Sequence, residues 1–383
     1  MPGEDTGQKG CAPLEIYVHI PFCIKKCDYC DFLSGPAGAG KQRAYVKALL
    51  AEIRGLLDTA GHEVTSVFFG GGTPSVMEPE LIAEILHNLR SKFLFSPDAE
   101  VTIEANPGTL TRDKLAVYRE AGINRLSLGL QSADDRELRE LGRIHSFSDF
   151  LESFRLAREA GFSNINVDLM FAIPGQSPKG WERTLRTVAG LGPEHISAYS
   201  LIVEEGTPFA SRELELPDEE EEYAMYDDTG RILKEYGYHP YEISNYAKEG
   251  MECRHNLGYW RRTEYLGLGL GSASLYDETR FSNTSDMEEY LSESGRPERI
   301  RKETQRLTEQ EQMEEFMFLG LRTTKGIREG DFEKRFGRTL EAVYGRVLSK
   351  YESMGFMERS GGWRRFTKKG IHVSNTILAE FLL

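Results

Sequence analysis

Long apolar runs are missing from this chain. No stretch approaches the roughly 18 apolar residues that a membrane-crossing helix requires, so stable insertion into a bilayer is not expected. Cysteine is scarce as well: five in 383 residues, three of them between Cys23 and Cys30. That is no disulfide framework, and it fits a reducing compartment, so a cytoplasmic location is expected. Positive charge is in deficit, 47 Lys and Arg against 61 Asp and Glu, for a formal net charge of −14. Non-specific binding to a phosphate backbone needs clustered cations, and nucleic acid is therefore not an expected partner. The first residues, Gly, Pro and polar in character, lack the apolar core of a signal peptide and read as a flexible tail. Apolar bulk is not lacking: 39% hydrophobic residues with 20 Phe and 17 Tyr suffice for a packed interior and exclude a disordered chain.

The length suggests two or three domains unless one of them is a barrel. From Leu14 to about Val203, short apolar runs alternate with helical patterns, which is the mark of repeated βα units. Strands are expected at 14–20, 64–69, 100–105, 124–129, 164–171 and 195–202, and helices at 41–58, 78–93, 111–121, 134–141, 147–160 and 178–191. Gly122 and Gly161 stand where glycines end helices. Six such units make an α/β partial or split barrel. The expected organisation is a tail at 1–13, the barrel at 14–216, an extension at 217–285 and a C-terminal domain at 286–383. PDEEEEY, Pro217 to Tyr223, reads as the solvated first turn of a helix. Residues 286–304 read as an exposed helix and linker, and from Leu307 on the pattern suggests three helices with a β-hairpin wing. WRRF with Lys368 and Lys369 reads as a small solvated basic patch.

The rest is organised around Tyr17 to Phe32, YVHIPFCIKKCDYCDF, with thiols at Cys23, Cys27 and Cys30. The apolar run Leu14 to Ile20 reads as a buried strand that Pro21 ends. The thiols then follow on a loop at the strand's C-terminal end, the active end of a parallel barrel. Iron-sulfur clusters usually take four cysteine thiolates, so a tight set of three leaves one iron of a 4Fe-4S cube without a protein ligand. The rival is structural zinc, which wants four N or S ligands, normally in two close pairs. His19 could complete a set of three cysteines and one histidine, but it sits on the strand, four residues before the first thiol. Three thiols cannot pair evenly as disulfides. The motif suits a cluster better than zinc.

CxxxCxxC with an aromatic between the last two cysteines resembles the radical S-adenosylmethionine (SAM) superfamily. More narrowly, YVHIPFC followed by CDYCDF is similar to the branch holding oxygen-independent coproporphyrinogen III oxidase (HemN) and the heme chaperone HemW. The resemblance implies that SAM chelates the fourth iron through its amino and carboxylate groups. An electron from the cluster can then cleave SAM to a 5′-deoxyadenosyl radical, chemistry that belongs to the cofactor while the protein supplies binding and electrostatics. It also implies the fold, a partial (β/α)6 TIM-like radical SAM barrel with a C-terminal α+β winged-helix-like domain.

Polar residues at the strand ends carry the argument further. VFFGGGTPS, Val67 to Ser75, sets a glycine run directly after a strand, where backbone N–H groups can meet a carboxylate or phosphate. A tight βα turn has the same appearance. TIEANP puts Glu104 at a strand end ahead of Pro107, RLSLGLQS puts Gln131 just past another, and LGRIHS and VDLMFAIPGQ offer Arg143, His145 and Asp168. Singly, each has an ordinary explanation in a salt bridge or a loop hydrogen bond. The resemblance assigns Tyr17, Gly71, Gly72, Thr73, Glu104, Gln131, Arg143 and Asp168 to SAM, with the Asp on ribose hydroxyls, the Arg on the carboxylate and 169–174 against the adenine. His195 reads as a core histidine, and Glu204 and Glu205 as candidates to face the cavity.

Further on, MECRHNLGYWRRTEYLGLGLGSAS gathers Cys253, His255, Asn256, Tyr259 and Trp260. An imidazole is a proper axial ligand for heme iron, and flanking aromatics can cover a porphyrin face. A histidine beside a Trp can equally sit hydrogen-bonded in a packed turn. HNLGYW is similar to the HNxxYW signature of HemW, so the resemblance implies heme at His255, Asn256, Tyr259 and Trp260. Cys253 reads as a second soft ligand or a small buried side chain. Gly267, Gly269 and Gly271 read as close packing.

Within the branch, the decarboxylating oxidase has a further cysteine two residues after the third, where this chain has Phe32. Sixteen residues before Tyr17 also leave little room for the N-terminal segment associated with that oxidase. The resemblance thus implies a heme chaperone that holds a 4Fe-4S cluster, SAM and heme and delivers heme to acceptor proteins, respiratory ones foremost. That is a carrier role rather than an established turnover. The alternatives are oxygen-independent coproporphyrinogen III oxidase, another radical SAM enzyme such as a methyl transferase acting on a tetrapyrrole, and a zinc-dependent interaction protein.

Overall fold

The computed structural model describes residues 11–56, 59 and 61–383. Residues 1–10 of the expected tail and 57–58 of the first expected helix lie outside the described residues. Six parallel strands run in chain order through the main sheet: β1 Ala12–Ile20, β2 His62–Gly71, β3 Phe95–Ala105, β4 Arg125–Gln131, β5 Ile165–Phe171 and β6 His195–Ser200. Helices α1 Ala39–Gly55, α2 Pro79–Lys92, α3 Arg112–Ala121, α4 Asp135–Glu140, α5 Phe147–Glu159 and α6 Pro178–Gly190 connect them. Side chains alternate between the two faces of a strand, and β4 has Leu126, Leu128 and Leu130 wholly buried at every second position, with Arg125, Ser127, Gly129 and Gln131 between them. The Thr111 hydroxyl caps the start of α3, and Gly122, at φ +95°, takes the left-handed turn that ends it.

The barrel does not close. β1 pairs with β2 on one side and with β9, Glu264–Leu268, on the other, while the far edge of β6 pairs antiparallel with β8, Asn245–Ala247. Helix α7, Glu219–Glu235, carries the acidic block in its first turn behind the cap of Asp218, where carboxylates oppose the positive end of the helix dipole. β7 (His239–Pro240) precedes β8, and α8 (Arg254–Trp260) precedes β9. Beyond β9 the sheet continues through β10 (Ala273–Tyr276) and β11 (Thr279–Asn283) to the edge strand β12 (Arg301–Arg306), past α9 (Met287–Glu293) and α10 (Pro297–Ile300). Part of the expected 286–304 linker is thus strand. β12 is RKETQR, polar all along and exposed, a charged edge that discourages further pairing. Among the described residues, no helix is long and apolar enough to cross a membrane.

Gly267 explains why β9 can lie where it does. A Cβ there would fall inside the van der Waals radius of the Ala273 carbonyl oxygen, and its N–H donates to the Ser274 hydroxyl at 2.9 Å. We predict that Gly267→Ala destabilises the protein by about 3 kcal/mol, because the obstacle is backbone and cannot swing aside. An unchanged midpoint in chemical denaturation would contradict the close approach.

The C-terminal region packs α11 (Glu309–Gly320), α12 (Glu329–Phe336) and α13 (Leu340–Ser353) with a three-stranded sheet of β13 (Ile327–Arg328), β15 (Trp363–Phe366) and β14 (Met357–Ser360). Gly361 and Gly362, both at positive φ, make the two-residue hairpin turn. Helices α14 (Lys368–His372) and α15 (Ser374–Ala379) finish the chain, and Phe332, Phe336, Tyr344 and Phe381 centre a core of its own. The basic patch expected on WRRF does not form. Arg364 is 4% exposed and bonded to Glu329, Glu341 and Glu352, Arg365 pairs with Glu358, and Lys368 reaches Asp227 of α7. A buried guanidinium must be paired, and the helices supply the carboxylates.

Candidate functional site

The cysteine loop leaves β1 at Pro21 and is held by backbone bonds. The Gly35 N–H donates to the Pro21 carbonyl at 3.0 Å and the Cys23 N–H to the Gly35 carbonyl at 3.1 Å. The Asp28 N–H donates to the Leu141 carbonyl at 3.2 Å, while the Phe209 N–H donates back to the Asp28 carbonyl at 3.1 Å. Cys23, Cys27 and Cys30 are half-buried and free of disulfides. Among the described residues, no three His, Cys, Asp or Glu side chains gather as the ligands of one metal ion do. His19 has both ring nitrogens engaged, Nε2–H donating to the Leu33 carbonyl at 2.9 Å and Nδ1 accepting from the Tyr17 hydroxyl at 3.1 Å. That argues against a closed set of three cysteines and one histidine around zinc. A cube suits these thiols better, since each thiolate takes a different iron. Burial raises the Cys30 thiol above its ordinary value, and Cys27 and Cys23 push the same way. Neighbouring thiolates disfavour one another, and a cationic group beside them offsets that repulsion.

Next to this loop the strand ends form one connected polar network. Gly72 N–H donates to the Ile20 carbonyl at 2.9 Å and Thr73 N–H to the Phe22 carbonyl at 2.7 Å, clamping the glycine run onto the start of the cysteine loop. A Cβ on Gly72 would stand 2.6 Å from the Phe22 carbonyl oxygen, so only glycine fits. Gly71 N–H donates to Glu104 at 3.1 Å. Burial, with Asp168 adding, pushes the Glu104 carboxyl up to about 8. Asp168 accepts from Ser127 at 3.0 Å and from Asn166 at 2.7 Å, and burial raises it too. Two neighbouring buried carboxyls whose pKa values are both raised suit a cationic ligand, such as a sulfonium with its ammonium. Arg143 donates to Asn106 at 2.7 Å, to the Gly129 carbonyl and to the Cys27 sulfur at 3.5 Å. Its buried Nε–H has no acceptor among the described residues, a donor that fits a ligand carboxylate. Gln131 closes β4 at φ +74°, a conformation rare outside glycine.

Asn106 is the member that local pattern did not reveal. Its amide donates to Thr73 Oγ1 at 2.9 Å while its oxygen accepts from Arg143, tying β2, β3 and the 141–145 loop together. Tyr29, between two of the cysteines, packs with Met170 and Ile173 of the stretch expected against the adenine. His145 is buried against the Leu130 carbonyl at 3.2 Å, and burial beside Arg143 lowers it to about 4. Glu204 and Glu205, candidates to face the cavity, are exposed on the turn after β6, where Gly206 and the Thr207 cap redirect the chain. His195 is wholly buried, its Nδ1–H donating to Asn166 at 2.6 Å and its Nε2 accepting from Tyr241 at 2.8 Å.

The HNLGYW stretch folds as α8 and walls a cavity of about 560 Å³, a size suited to a cofactor. His255, Asn256, Tyr259 and Trp260 all line it, opposite Leu275 and Phe318. Tyr17 of β1 lines it too, stacked on Phe68 with centroids 6.4 Å apart, and Phe68 stacks on His255 at 5.2 Å. His255 is 2% exposed, with Nδ1 bonded to the Ser66 hydroxyl at 2.8 Å and Nε2 to the Tyr259 hydroxyl at 3.1 Å. Burial lowers its pKa to about 3, so the ring is neutral, the form a metal requires. Glu15, 3.8 Å from Nδ1, is pushed well up by burial. Ligation at Nε2 requires the Tyr259 hydroxyl to move off that nitrogen. Cys253 is fully buried with Tyr241 and Ala247, its Sγ 3.4 Å from Glu100, which gives it the packing role.

The Radical SAM superfamily profile matches residues 17–188 and the HemN C-terminal domain profile residues 307–373. "Heme chaperone HemW" of Bacillus subtilis (strain 168) is 38% identical over 375 residues, 96% of this chain and 98% of that protein. The protein of the same name from Escherichia coli (strain K12) is 40% identical over 262 residues, 68% of this chain and 69% of its own. Among solved structures, coproporphyrinogen III oxidase (HemN) from Escherichia coli superimposes with a TM-score of 0.85 at 25% identity, covering 97% of this chain and 91% of that one.

Proposed function

Because the chain belongs to the radical SAM superfamily and, in its HemN-like group, to the HemW family, we propose that it is a heme chaperone: it binds a 4Fe-4S cluster, SAM and heme and delivers the heme to acceptor proteins, respiratory ones foremost. Cys23, Cys27 and Cys30 hold the cluster. Gly71, Gly72, Thr73, Glu104, Gln131, Arg143 and Asp168 hold SAM, with the Arg143 Nε–H on its carboxylate. Tyr17 stands between the two ligands, near Glu104 on one side and on the wall of the aromatic cavity on the other. When bound, the cluster supplies the electron for SAM chemistry. The cytoplasm, which keeps the thiols reduced, is where we place it.

One observation carries the heme assignment. HNLGYW builds a cavity with a neutral imidazole and stacked aromatic rings on the far side of β1 and β2 from the hydrophobic core. Neutral imidazole on iron with aromatics over the porphyrin plane is how heme is held. Titrating heme into the reconstituted protein should give a Soret band that His255→Ala shifts, with affinity falling roughly tenfold or more, the effect of losing one ligand worth about 1.4 kcal/mol or more. Equal spectra and affinities would remove the assigned ligand.

The likeness to the HemN structure favours a second reading, oxidative decarboxylation of a porphyrinogen. Phe32, exposed at the loop's end, stands where that oxidase carries its further cysteine. A decarboxylated product after anaerobic incubation with coproporphyrinogen, SAM and reductant would replace the carrier reading.

A further inference from the structure

A second cavity, about 690 Å³, lies between α8 and the C-terminal region, and Trp260 and Arg262 line both cavities. Its apolar lining comes from Leu257, Phe316, Ile327 and Trp363. Four cations also line it: Arg261, Lys325, Arg328 and Lys334. All four are exposed, and among the described residues none stands in an ion pair, in a chain where acids outnumber bases and Arg364 alone has three carboxylate partners. The other two lining arginines are committed. Arg262 pairs with Glu278 and Glu315, and Arg335 with Glu278. Of the lining acids, Glu252 is held by His239 at 2.9 Å, which leaves Asp331. Four unpaired cations against one unpaired acid, over an apolar floor, concentrate an amphipathic anion.

The mounting of these cations is fixed beforehand. The Thr324 N–H donates to the Tyr241 carbonyl at 3.0 Å and its hydroxyl to the Pro240 carbonyl at 3.2 Å, stapling the turn that carries Lys325 onto β7. Gly326, at φ +73°, leaves no room for a Cβ against the Arg364 carbonyl, which locks the same turn to β15. The backbone of this turn is thus ordered before a ligand arrives, and what a ligand has still to order is the cationic side chains. The Trp260 indole N–H, shared between the cavities, is buried without an acceptor among the described residues, and Arg322 covers its ring at 4.6 Å.

We infer that this cationic cavity binds the carboxylates of the tetrapyrrole, so that one ligand spans both cavities past Trp260, its iron toward His255 and its propionate edge among Arg261, Lys325, Arg328 and Lys334. The inference rests on the heme reading and adds the group that recognises the porphyrin's acidic edge. A planar dianion matches the arrangement: the rings meet the apolar floor, and guanidinium and ammonium groups take two carboxylates.

The test compares heme with heme dimethyl ester, whose carboxylates are blocked, on the full-length reconstituted protein and on the Arg328→Ala/Lys334→Ala variant. Both positions are exposed, so the fold should survive. The wild type should prefer the free acid by roughly tenfold or more, and the double variant should bind both forms alike with the Soret band unmoved. His255→Ala should do the reverse, shifting the band while keeping the preference. A preference that persists in the double variant would overturn the site, including the case where that variant instead loses binding to poly-glutamate and the rim is a dock for an acidic polypeptide. No preference in the wild type would overturn it too. A wild type that shows no Soret band with either ligand would sink the heme reading itself, a result distinct from all of these.

Discussion

Cys27→Ser should give a folded, colourless protein in which iron and acid-labile sulfide fall from about four of each per chain to near zero and SAM cleavage is lost. The loop's shape is set by its backbone bonds: Cys23 to Gly35, Gly35 to Pro21, and Asp28 to both Leu141 and Phe209. Serine disturbs none of them. What it removes is the thiolate, because a hydroxyl stays protonated at neutral pH and is a poor ligand for iron. Cys23→Ser and Cys30→Ser should behave alike, since a cube already short of a fourth protein ligand has no redundancy. Heme binding should persist in all three, because His255 and the rings around it stand on α8, β2 and β9 rather than on the cysteine loop. Iron and sulfide analysis with a parallel heme titration checks both halves. Zinc without sulfide in the wild type, or loss of heme from every folded cysteine variant, would contradict the account.

The barrel was legible because its strands obey a local rule. Apolar residues recur at every second position of a strand that packs one face on the core, and the stretches at 14–20, 100–105 and 124–129 reappear as the buried parts of β1, β3 and β4. Glycines marked helix ends, as Gly122 does for α3. The other half of the sheet obeys no such rule. β9 is EYLGL, which reads as a glycine-rich loop until β1, some 250 positions earlier, offers it an edge. β12 has no apolar face at all, and β7 and β8 are two and three residues long. Such strands exist because a neighbour is there, and the neighbour is remote in sequence.

The candidate site divides in the same way. Strand-end residues could be named from the chain, because the end of an apolar run marks where a side chain emerges at the active face. The links between them could not. Asn106 joins Thr73 to Arg143 across separations of 33 and 37 positions, and nothing in TIEANP singles it out above Glu104. Phe68 offered a signal that alternation could have caught: with Val67 and Phe69 wholly buried, the residue between them must face the other way, and there it stacks on His255. The cationic cavity was invisible for a different reason. Its cations come from two segments, Arg261 after α8 and the stretch 325–334, whose meeting over one apolar floor depends on how the C-terminal helices dock beside α8.

Glu104 leads to the second large effect, and its sign follows from linkage. Burial and the neighbouring Asp168 raise the folded carboxyl from an ordinary 4.5 to about 8, so the ligand-free protein holds a proton there at neutral pH. The folded state binds that proton more tightly than the unfolded chain, so this group's contribution to stability is complete below about pH 4.5 and is lost as pH rises through about 8. A cationic ligand reverses the preference, since the carboxyl must ionise to face it. Binding of SAM then releases a proton, and its affinity should rise by up to tenfold per pH unit between pH 6 and 8, levelling above the carboxyl's own value. We predict that Glu104→Gln weakens SAM binding roughly a hundredfold at pH 8, the effect of a lost charge-assisted bond, and removes this slope while leaving the cluster's iron and sulfide content intact. Calorimetry in two buffers of different ionisation enthalpy reads the released proton directly: about one per SAM at pH 7 in the wild type and close to none in the variant. Identical proton release in the two proteins would show that Glu104 is not the group that ionises to meet SAM, and its raised pKa would then describe burial alone.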